Sequence, residues 1–237
     1  MKNNIMILLT LLLVIFTLTP ETSILASSEV YEDVPKHHIN YKEIHYLLNH
    51  DVIEGANTFR AQEIATREEV AVMIAKAVGL DGTQRKTKFK DVQANHPNSG
   101  YIQSAVEAGI INGYPDGTFK PNTELTRGHM AAFIARAYEL PMGSKTFKDV
   151  PKGHTAYEAV KQLAVAGITI GYEDGTFKPE NHLSRAHTAV FIARAMQFEG
   201  NTNHDSIQPL PLPVDDRESI GIDANKGYNG GVLIIED

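Results

Sequence analysis

The sequence contains no cysteine and no tryptophan in 237 residues. Without cysteine the chain cannot form a disulfide framework, a thiolate zinc site or a cysteine nucleophile, so its stability must come from packing. Basic residues are also scarce, because 22 lysines and arginines are outnumbered by 29 aspartates and glutamates, which gives a net charge of -7. This balance argues against sequence-independent binding of nucleic acid, which needs a basic surface.

The acidic charge is concentrated near the C-terminus. Residues 199–237 contain eight acidic and two basic residues, whereas residues 27–198 contain 20 acidic and 19 basic residues. The last segment, 201–237, also holds three prolines and several glycines. This composition predicts a flexible acidic tail. Residues 223–227 are weakly similar to a calcium loop, but the oxygen ligands that follow in such a loop are missing here.

The N-terminus has the pattern of an export signal. Lys2 precedes a mostly apolar run of 14 residues, 5–18, and small residues follow further on. This layout is typical of a secretory signal peptide, so we expect residues 1–26 to be removed by cleavage after Ala26 or Ser28. The alternative is a membrane anchor, but the run is shorter than the roughly 20 residues that span a bilayer. We therefore expect no membrane contact after cleavage.

A motif of the form aromatic-x-Asp-Val occurs three times at a fixed period. Its aspartates, Asp33, Asp91 and Asp149, are each 58 residues apart. Other residues keep this period to within two positions: Gly55, Gly113 and Gly171; His38, His96 and His154; Arg67, Arg127 and Arg185. Such self-similarity indicates three copies of one structural unit. The predicted repeats are 27–84, 85–143 and 144–200.

Each repeat predicts a helix, a turn-rich loop and a second helix. Apolar residues recur at helical spacing after the Asp-Val motif, as in 157–166. Gly109 and Gly167 stand where a left-handed helix cap is expected. The loops 113–121 and 171–179 contain Asp-Gly pairs, which favour tight turns and are compatible with a short hairpin.

The second helix of each repeat has a clear start signal. Thr66, Thr126 and Ser184 are residue types that favour the N-cap, and Glu69 completes a capping box in repeat 1. The helices contain apolar residues that we expect in the core, together with the loop phenylalanines: Met73, Ile74, Phe133, Ile134, Phe191, Ile192, Phe119 and Phe177.

Three features of the repeats are specific when taken together. They are the Phe/Tyr-x-Asp-Val motif, the loop Gly-Tyr-x-Asp-Gly-Thr-Phe-Lys-Pro, and a Thr/Ser-Arg start to a helix that contains Ile-Ala-Arg-Ala. In this combination the chain resembles the S-layer homology domains of bacterial surface proteins over residues 29–198. The resemblance implies a mainly α-helical fold in which three helix–loop–helix repeats surround a pseudo-threefold axis. Repeat 1 departs from it, because its loop is shortened to residues 55–59.

An arginine occupies the first position of each second helix, where the helix dipole makes a cation mildly unfavourable. One explanation is a structural ion pair, for instance with the aspartate of an Asp-Val motif. The other is that the arginine, free backbone N–H groups and the dipole together bind an external anion. A guanidinium group suits a carboxylate or a phosphate, because it can donate two parallel hydrogen bonds.

The resemblance implies an anionic ligand, since S-layer homology triplets typically bind secondary cell-wall polysaccharides that in many cases carry a pyruvate ketal on an N-acetylhexosamine. It implies that Arg127 and Arg185 bind the carboxylate, and that Arg67, Asp33 and Gly55 are weaker counterparts in repeat 1. Carried over to this sequence, the remaining ligand-binding residues are Gly113, Tyr114, Gly171, Tyr172, Asp91 and Asp149.

Structural roles are open for several of these residues. Each Asp-Val aspartate is also suited to cap the first helix of its repeat, and Tyr114 and Tyr172 are also suited to pack between repeats. For the periodic histidines we favour structural hydrogen bonds near the first helix over a shared metal site. His129 and His187 follow the arginines by two residues, so their protonation is able to make anion binding depend on pH.

The sequence gives little support for catalysis. It has no Gly-x-Ser-x-Gly or His-Glu-x-x-His motif, and its recurring polar residues are triplicated, whereas an active site is normally unique. We therefore predict a non-enzymatic protein without metal or cofactor, exported to the bacterial cell surface and held non-covalently by wall polysaccharide. The alternatives are a structural protein that joins a surface layer through protein contacts, and a wall-modifying enzyme.

Overall fold

The computed structural model describes residues 31–200, which contain six α-helices and no strand. The helices are α1 (Tyr41–Asn49), α2 (Arg67–Ala77), α3 (Ser99–Glu107), α4 (Arg127–Ala137), α5 (Tyr157–Val165) and α6 (Arg185–Gly200). Each repeat contributes two of them, which confirms the predicted mainly α-helical class and the helix–loop–helix order. The predicted signal peptide and acidic tail lie outside the described residues.

The helix ends follow the predicted capping chemistry. Thr66 and Thr126 accept hydrogen bonds from the backbone N–H three residues later, and Glu69 completes the capping box of α2. Gly109 and Gly167 have φ angles of 72° and 70°, the left-handed conformation that ends α3 and α5. The short polar caps and the glycines therefore define where these helices begin and end.

A ring of backbone hydrogen bonds joins the three repeats at their centre. The N–H of Ala65 donates to the carbonyl of Leu183 at 2.9 Å, that of Leu183 to Leu125 at 3.0 Å, and that of Leu125 to Ala65 at 3.0 Å. The three residues immediately precede the N-caps of α2, α4 and α6. Each repeat thus donates to one neighbour and accepts from the other, as pseudo-threefold symmetry requires.

The helices close the same ring around a shared core. The second helix of each repeat packs on the first helix of the next, so that α2 contacts α3, α4 contacts α5, and α6 returns to α1. The expected core residues of α2, α4 and α6 and the loop residues Phe119 and Phe177 are buried in one hydrophobic cluster. Because its apolar surface is shared between neighbours, the triplet forms one packed unit.

The Asp-Val aspartates fasten the loop of their own repeat. The two carboxylate oxygens of Asp91 accept the backbone N–H groups of Phe119 and Lys120 at 2.8 and 2.7 Å. Asp149 does the same for Phe177 and Lys178. The capping alternative is wrong, because the N-cap positions of α1, α3 and α5 belong to other residues and show no side-chain cap.

The periodic histidines have a local structural role. The Nδ1 atoms of His38, His96 and His154 accept the backbone N–H two residues later, just before α1, α3 and α5. This confirms the predicted hydrogen bonding near the first helix. Between residues 31 and 200, no group of three or more His, Asp or Glu residues is arranged to hold a metal ion. In the same range, no helix has the length and apolar character to span a bilayer.

Candidate functional site

The three periodic arginines lie at the junctions between repeats. Arg67 of repeat 1 extends to the loop of repeat 2, and one of its terminal N–H groups donates to the carbonyl of Asn112. Arg127 of repeat 2 extends to repeat 3, where its Nε donates to the carbonyl of Phe177 at 2.7 Å. Arg185 closes the ring, because its Nε donates to the carbonyl of Phe59 in repeat 1 at 2.8 Å.

At the first and second junctions the arginine lies against a loop tyrosine. The guanidinium carbon of Arg67 is 5.2 Å from the ring centroid of Tyr114, and that of Arg127 is 5.1 Å from the ring of Tyr172. These distances are typical of cation–π contacts. We define the first junction as Arg67, Tyr114 and Lys120, and the second as Arg127, Tyr172 and Lys178.

A lysine contacts each of the same two rings. The Nζ atoms of Lys120 and Lys178 are both 4.1 Å from the ring centroids of Tyr114 and Tyr172. Each loop tyrosine therefore contacts two cations, one from its own repeat and one from the previous repeat. Sequence reasoning missed these lysines, although a signal was present, because a cation follows the loop phenylalanine in every repeat as Arg60, Lys120 and Lys178.

The arginines of the first two junctions are largely buried. Arg67 is 5% exposed and Arg127 is 3% exposed. Burial lowers the pKa of Arg67, because it disfavours the charged form. The lysine is more accessible, since the side chain of Lys120 is 44% exposed. At the first junction an external ligand therefore meets the lysine before it meets the guanidinium.

The third junction, which we define as Arg185, Arg60 and Glu69, has a different composition. Nη1 of Arg185 is 2.5 Å from the carboxylate of Glu69, and Nη2 of Arg60 is 2.5 Å from the same oxygen. The shortened loop supplies no tyrosine here. Instead a cavity of about 300 Å³ opens, lined by all three residues of the junction. This volume is at the lower end of the range for small-molecule pockets.

The sequence profile described as the S-layer homology domain (SLH) matches the chain three times, at residues 30–71, 88–131 and 146–189. The chain belongs to the S-layer homology family. The match confirms the resemblance on which the fold was predicted, and the three matched segments agree with the three SLH repeats of the structure.

Several curated proteins share this SLH region. The chain is 34% identical to Cell surface glycoprotein 1 of Acetivibrio thermocellus over 155 residues, 59% of this chain and 7% of that protein. It is 29% identical to the Cellulosome-anchoring protein of the same organism over 207 residues, 83% of this chain and 45% of that protein. It is also 34% identical to an Endoglucanase of Bacillus sp. (strain KSM-635) over 175 residues, which are 69% of this chain and 18% of that protein.

The SLH chain thus spans less than half the length of these relatives. The family and the relatives confirm the predicted cell-surface localisation and support the predicted class of function, attachment to the cell wall through SLH repeats. The relatives also include an endoglucanase, so the SLH region is shared by proteins that are named as enzymes and by proteins that are not.

The SLH geometry shows which loop each predicted arginine faces. From the sequence, Arg127 and Arg185 ranked above Arg67 because the loop of repeat 1 is shortened. In the structure the complete loops of repeats 2 and 3 face Arg67 and Arg127. Arg185 faces the shortened loop of repeat 1 and pairs with a carboxylate. That carboxylate belongs to Glu69 and not to an Asp-Val aspartate.

The expectation of free backbone N–H groups beside the arginines is wrong. The first N–H of α2, at Arg67, donates to the carbonyl of Thr123 at 2.8 Å, and the second, at Glu68, donates to Pro121 at 3.0 Å. The third donates to the Thr66 side chain. Helices α4 and α6 repeat this pattern, because loop carbonyls of the next repeat face them. These helix ends therefore join repeats and are closed to an external anion.

Two predicted glycines make room for aromatic rings. A Cβ atom on Gly113 would lie 2.1 Å from the ring of Phe89, and one on Gly171 would lie 2.2 Å from Phe147. Gly171 also has a φ angle of 76°, a conformation that glycine adopts without strain. These glycines shape the loops that carry Tyr114 and Tyr172. Gly55 belongs to the shortened loop, and the carboxylate of Asp33 accepts the backbone N–H groups of Phe59 and Ala61 at the end of that loop.

In repeats 1 and 2, the third residue of the second helix lies near the arginine of the preceding repeat in the ring. In repeat 2 this residue is His129, whose pKa is lowered first by burial and then by the charge of Arg67. In repeat 1 it is Glu69, which binds Arg185 directly. The corresponding residue of repeat 3 is His187. The charge at the first and third junctions is therefore set partly by this position.

Proposed function

We propose that the SLH triplet holds the protein at the cell wall by binding an anionic wall polysaccharide at the first and second junctions. The observation that carries this proposal is the tyrosine that contacts two cations at each of them. An aromatic face suits the apolar face of a sugar ring, and the cations suit an acidic substituent beside it.

The two cations of a junction have different roles in this proposal. Lys120 is the group that contacts the acidic substituent at the first junction, because its side chain is 44% exposed and its ion pair with Asp116 is long, at 3.7 Å. Lys178 is the corresponding residue of the second junction. Arg67 and Arg127 lie largely buried beside Tyr114 and Tyr172, where they fix the rings and add positive potential. Arg67 exposes only 5% of its surface, so a ligand reaches at most one edge of it.

A pyruvate ketal on an N-acetylhexosamine matches this arrangement in the size and charge of its groups. The ketal places one carboxylate directly beside a sugar ring, so a single residue of the polymer satisfies both the lysine and the tyrosine. The predicted aspartates are less suited to contact the ligand, since both oxygens of Asp91 and of Asp149 already bind loop backbone. They contribute by holding the loops in position.

Two junctions on one rigid body favour a repeating polymer over a single sugar. Once one junction is occupied, the second meets the next acidic residue of the same chain at a high effective concentration. Weak individual sites are therefore enough for stable attachment. We further propose that the chain itself is not an enzyme, since the SLH region occupies only 18% of the endoglucanase that shares it.

Calorimetric titration with a soluble wall polysaccharide, before and after mild acid removal of its ketals, tests this proposal. We expect binding to the ketal-bearing polymer and at least about tenfold weaker binding to the treated one, as loss of a charge-assisted contact predicts. Equal affinity for both polymers would show that the acidic group is not recognised.

A further inference from the structure

The third junction contains a carboxylate of the protein where the other two junctions present a tyrosine. We propose that Glu69 makes this junction select against acidic sugars, because its side chain already occupies the cations that an acidic ligand needs. The inference deepens the proposed function and rests on it, since it concerns which of the three junctions accepts a carboxylate.

Glu69 is held by contacts to both of its oxygens. Oε1 accepts from Arg60 and from Arg185, each at 2.5 Å. Oε2 accepts the backbone N–H of Thr66 at 2.9 Å and its hydroxyl at 3.3 Å. The carboxylate is therefore placed by the capping box of α2 and then directed at both arginines. An incoming carboxylate has to displace a group that is already fixed in position.

The net effect of these contacts is seen in the protonation of Glu69. Burial alone would raise its pKa, but the backbone hydrogen bond from Thr66 and the charges of Arg185 and Arg60 outweigh burial, and the pKa is lowered. The side chain therefore stays ionised at neutral pH. It cancels one of the two positive charges of the junction under the conditions in which the wall polymer is also ionised.

The rest of the cavity is balanced in charge. Its lining contains three cations and three acids: Arg60, Lys76, Arg185, Glu54, Glu68 and Glu69. Lys76 is paired with Glu54 at 2.9 Å, and Glu68 accepts from the side chain of Asn98 at 2.6 Å. Lys76, the remaining cation of this lining, is therefore already paired with an acid of the protein.

The same helix position differs in the other repeats. His129 and His187 replace Glu69 at the third position of α4 and α6. Neither residue places a negative charge beside the arginine of its junction. The carboxylate of Glu69, together with the shortened loop that supplies no tyrosine, thus distinguishes the junction that refuses acidic ligands from the two that accept them.

Titration of the purified protein with a synthetic pyruvylated N-acetylhexosamine, and with its uncharged methyl ester, tests the inference. In E69Q the amide keeps the size of the side chain and an oxygen acceptor for the Thr66 N–H, but it releases the two arginines. We expect E69Q to bind one more equivalent of the acid than the wild type, with at least about tenfold preference for the acid over the ester at the new site. E69H, which carries the residue of the other two repeats, should show the same gain.

E63Q is the matched control. Glu63 pairs with the same Arg60 at 2.9 Å and also carries one negative charge, but it does not contact the Arg185 side chain. Its substitution should leave the stoichiometry of acid binding unchanged. Circular dichroism at each titration temperature confirms that the variants are folded.

The outcomes separate this inference from the proposed function. Extra acid binding by E69Q and E69H, absent in E63Q, supports the role of Glu69, even if the wild type binds no acid and the proposed function fails. Unchanged stoichiometry in folded E69Q and E69H overturns the role of Glu69, whether or not the wild type binds the acid at its first two junctions.

Discussion

The backbone N–H of Leu125 donates to the carbonyl oxygen of Ala65 at 3.0 Å, and this bond is one of three that link the repeats in a closed ring. Ring closure places the arginine of one repeat against the loop of the next. A ligand site at a junction is therefore built from two repeats, and no single repeat contains a complete one.

Arg127 is expected to contribute to stability as well as to the site. R127A removes a buried charge-assisted hydrogen bond to the carbonyl of Phe177 and the contact with the Tyr172 ring, so it should lower the free energy of unfolding by about 2 to 3 kcal/mol. Urea denaturation measures the loss. K152A, at an exposed lysine, should change stability little, and equal midpoints for both variants would contradict an inter-repeat role for Arg127.

The two left-handed glycines Gly109 and Gly171 allow strain and crowding to be separated. A Cβ atom on Gly109 has no atom within 4 Å, whereas one on Gly171 lies 2.2 Å from the Phe147 ring and 2.7 Å from the carbonyl of Thr176. G109A should cost about 1 to 2 kcal/mol from the backbone conformation alone. G171A should cost clearly more in thermal or urea unfolding. A smaller loss for G171A would show that the loop adjusts freely.

Asp149 should matter for folding of the loop. D149A leaves the backbone N–H groups of Phe177 and Lys178 without their acceptor, with an expected loss of about 2 kcal/mol. Hydrogen exchange should show faster exchange at these two amides, while the amides of α1 remain protected. Unchanged exchange in D149A would contradict the assignment of this aspartate to the loop.

Stability should depend on pH through His129. Its folded-state pKa is lowered from 6.5 by burial and by Arg67, while Glu180 opposes the shift and Thr126 shares a hydrogen bond with the ring. The unfolded chain therefore binds the proton more readily, and the free energy of unfolding falls as pH decreases below about 6.5. In H129Q this part of the pH dependence should disappear.

The control for this pH dependence is H37Q, which changes an exposed histidine. Urea midpoints measured at about pH 7.5 and about pH 5 report the effect for each variant. The wild type and H37Q should lose the same stability between the two values, and H129Q should lose less. The same loss in all three proteins would exclude His129 as the titrating group.

Much of this fold follows from local sequence. The N-caps Thr66 and Thr126 and the glycine stops at Gly109 and Gly167 depend on interactions within a few residues, and each of them is confirmed. The 58-residue period is confirmed by the three matched SLH segments, which begin at residues 30, 88 and 146. The resemblance to S-layer homology domains supplied the threefold arrangement, which no local pattern specifies. The positions of the helices could be predicted from the sequence because the same start and stop signals occur in more than one repeat.

The composition of the junctions was less accessible from sequence. Glu69 and Arg185 are 116 residues apart and meet only because the ring closes in one direction. The sequence does not reveal whether an arginine reaches its own loop or that of the next repeat. The role of Asp91 was missed for a similar reason, because its partners follow 28 and 29 residues later. Lys120 could have been included among the predicted site residues, since the equivalent position carries a cation in every repeat.

Co-sedimentation with purified cell-wall sacculi tests the central claim most directly. The wild type should pellet with intact sacculi but not with sacculi stripped of polysaccharide by acid. K120Q/K178Q, which keeps the buried arginines, should pellet about tenfold less at limiting sacculi. The control K36Q/K152Q makes the same change in charge at two exposed lysines and should pellet as the wild type does. Equal pelleting of all three proteins with stripped and intact sacculi would contradict anchoring through an anionic polysaccharide at the first two junctions.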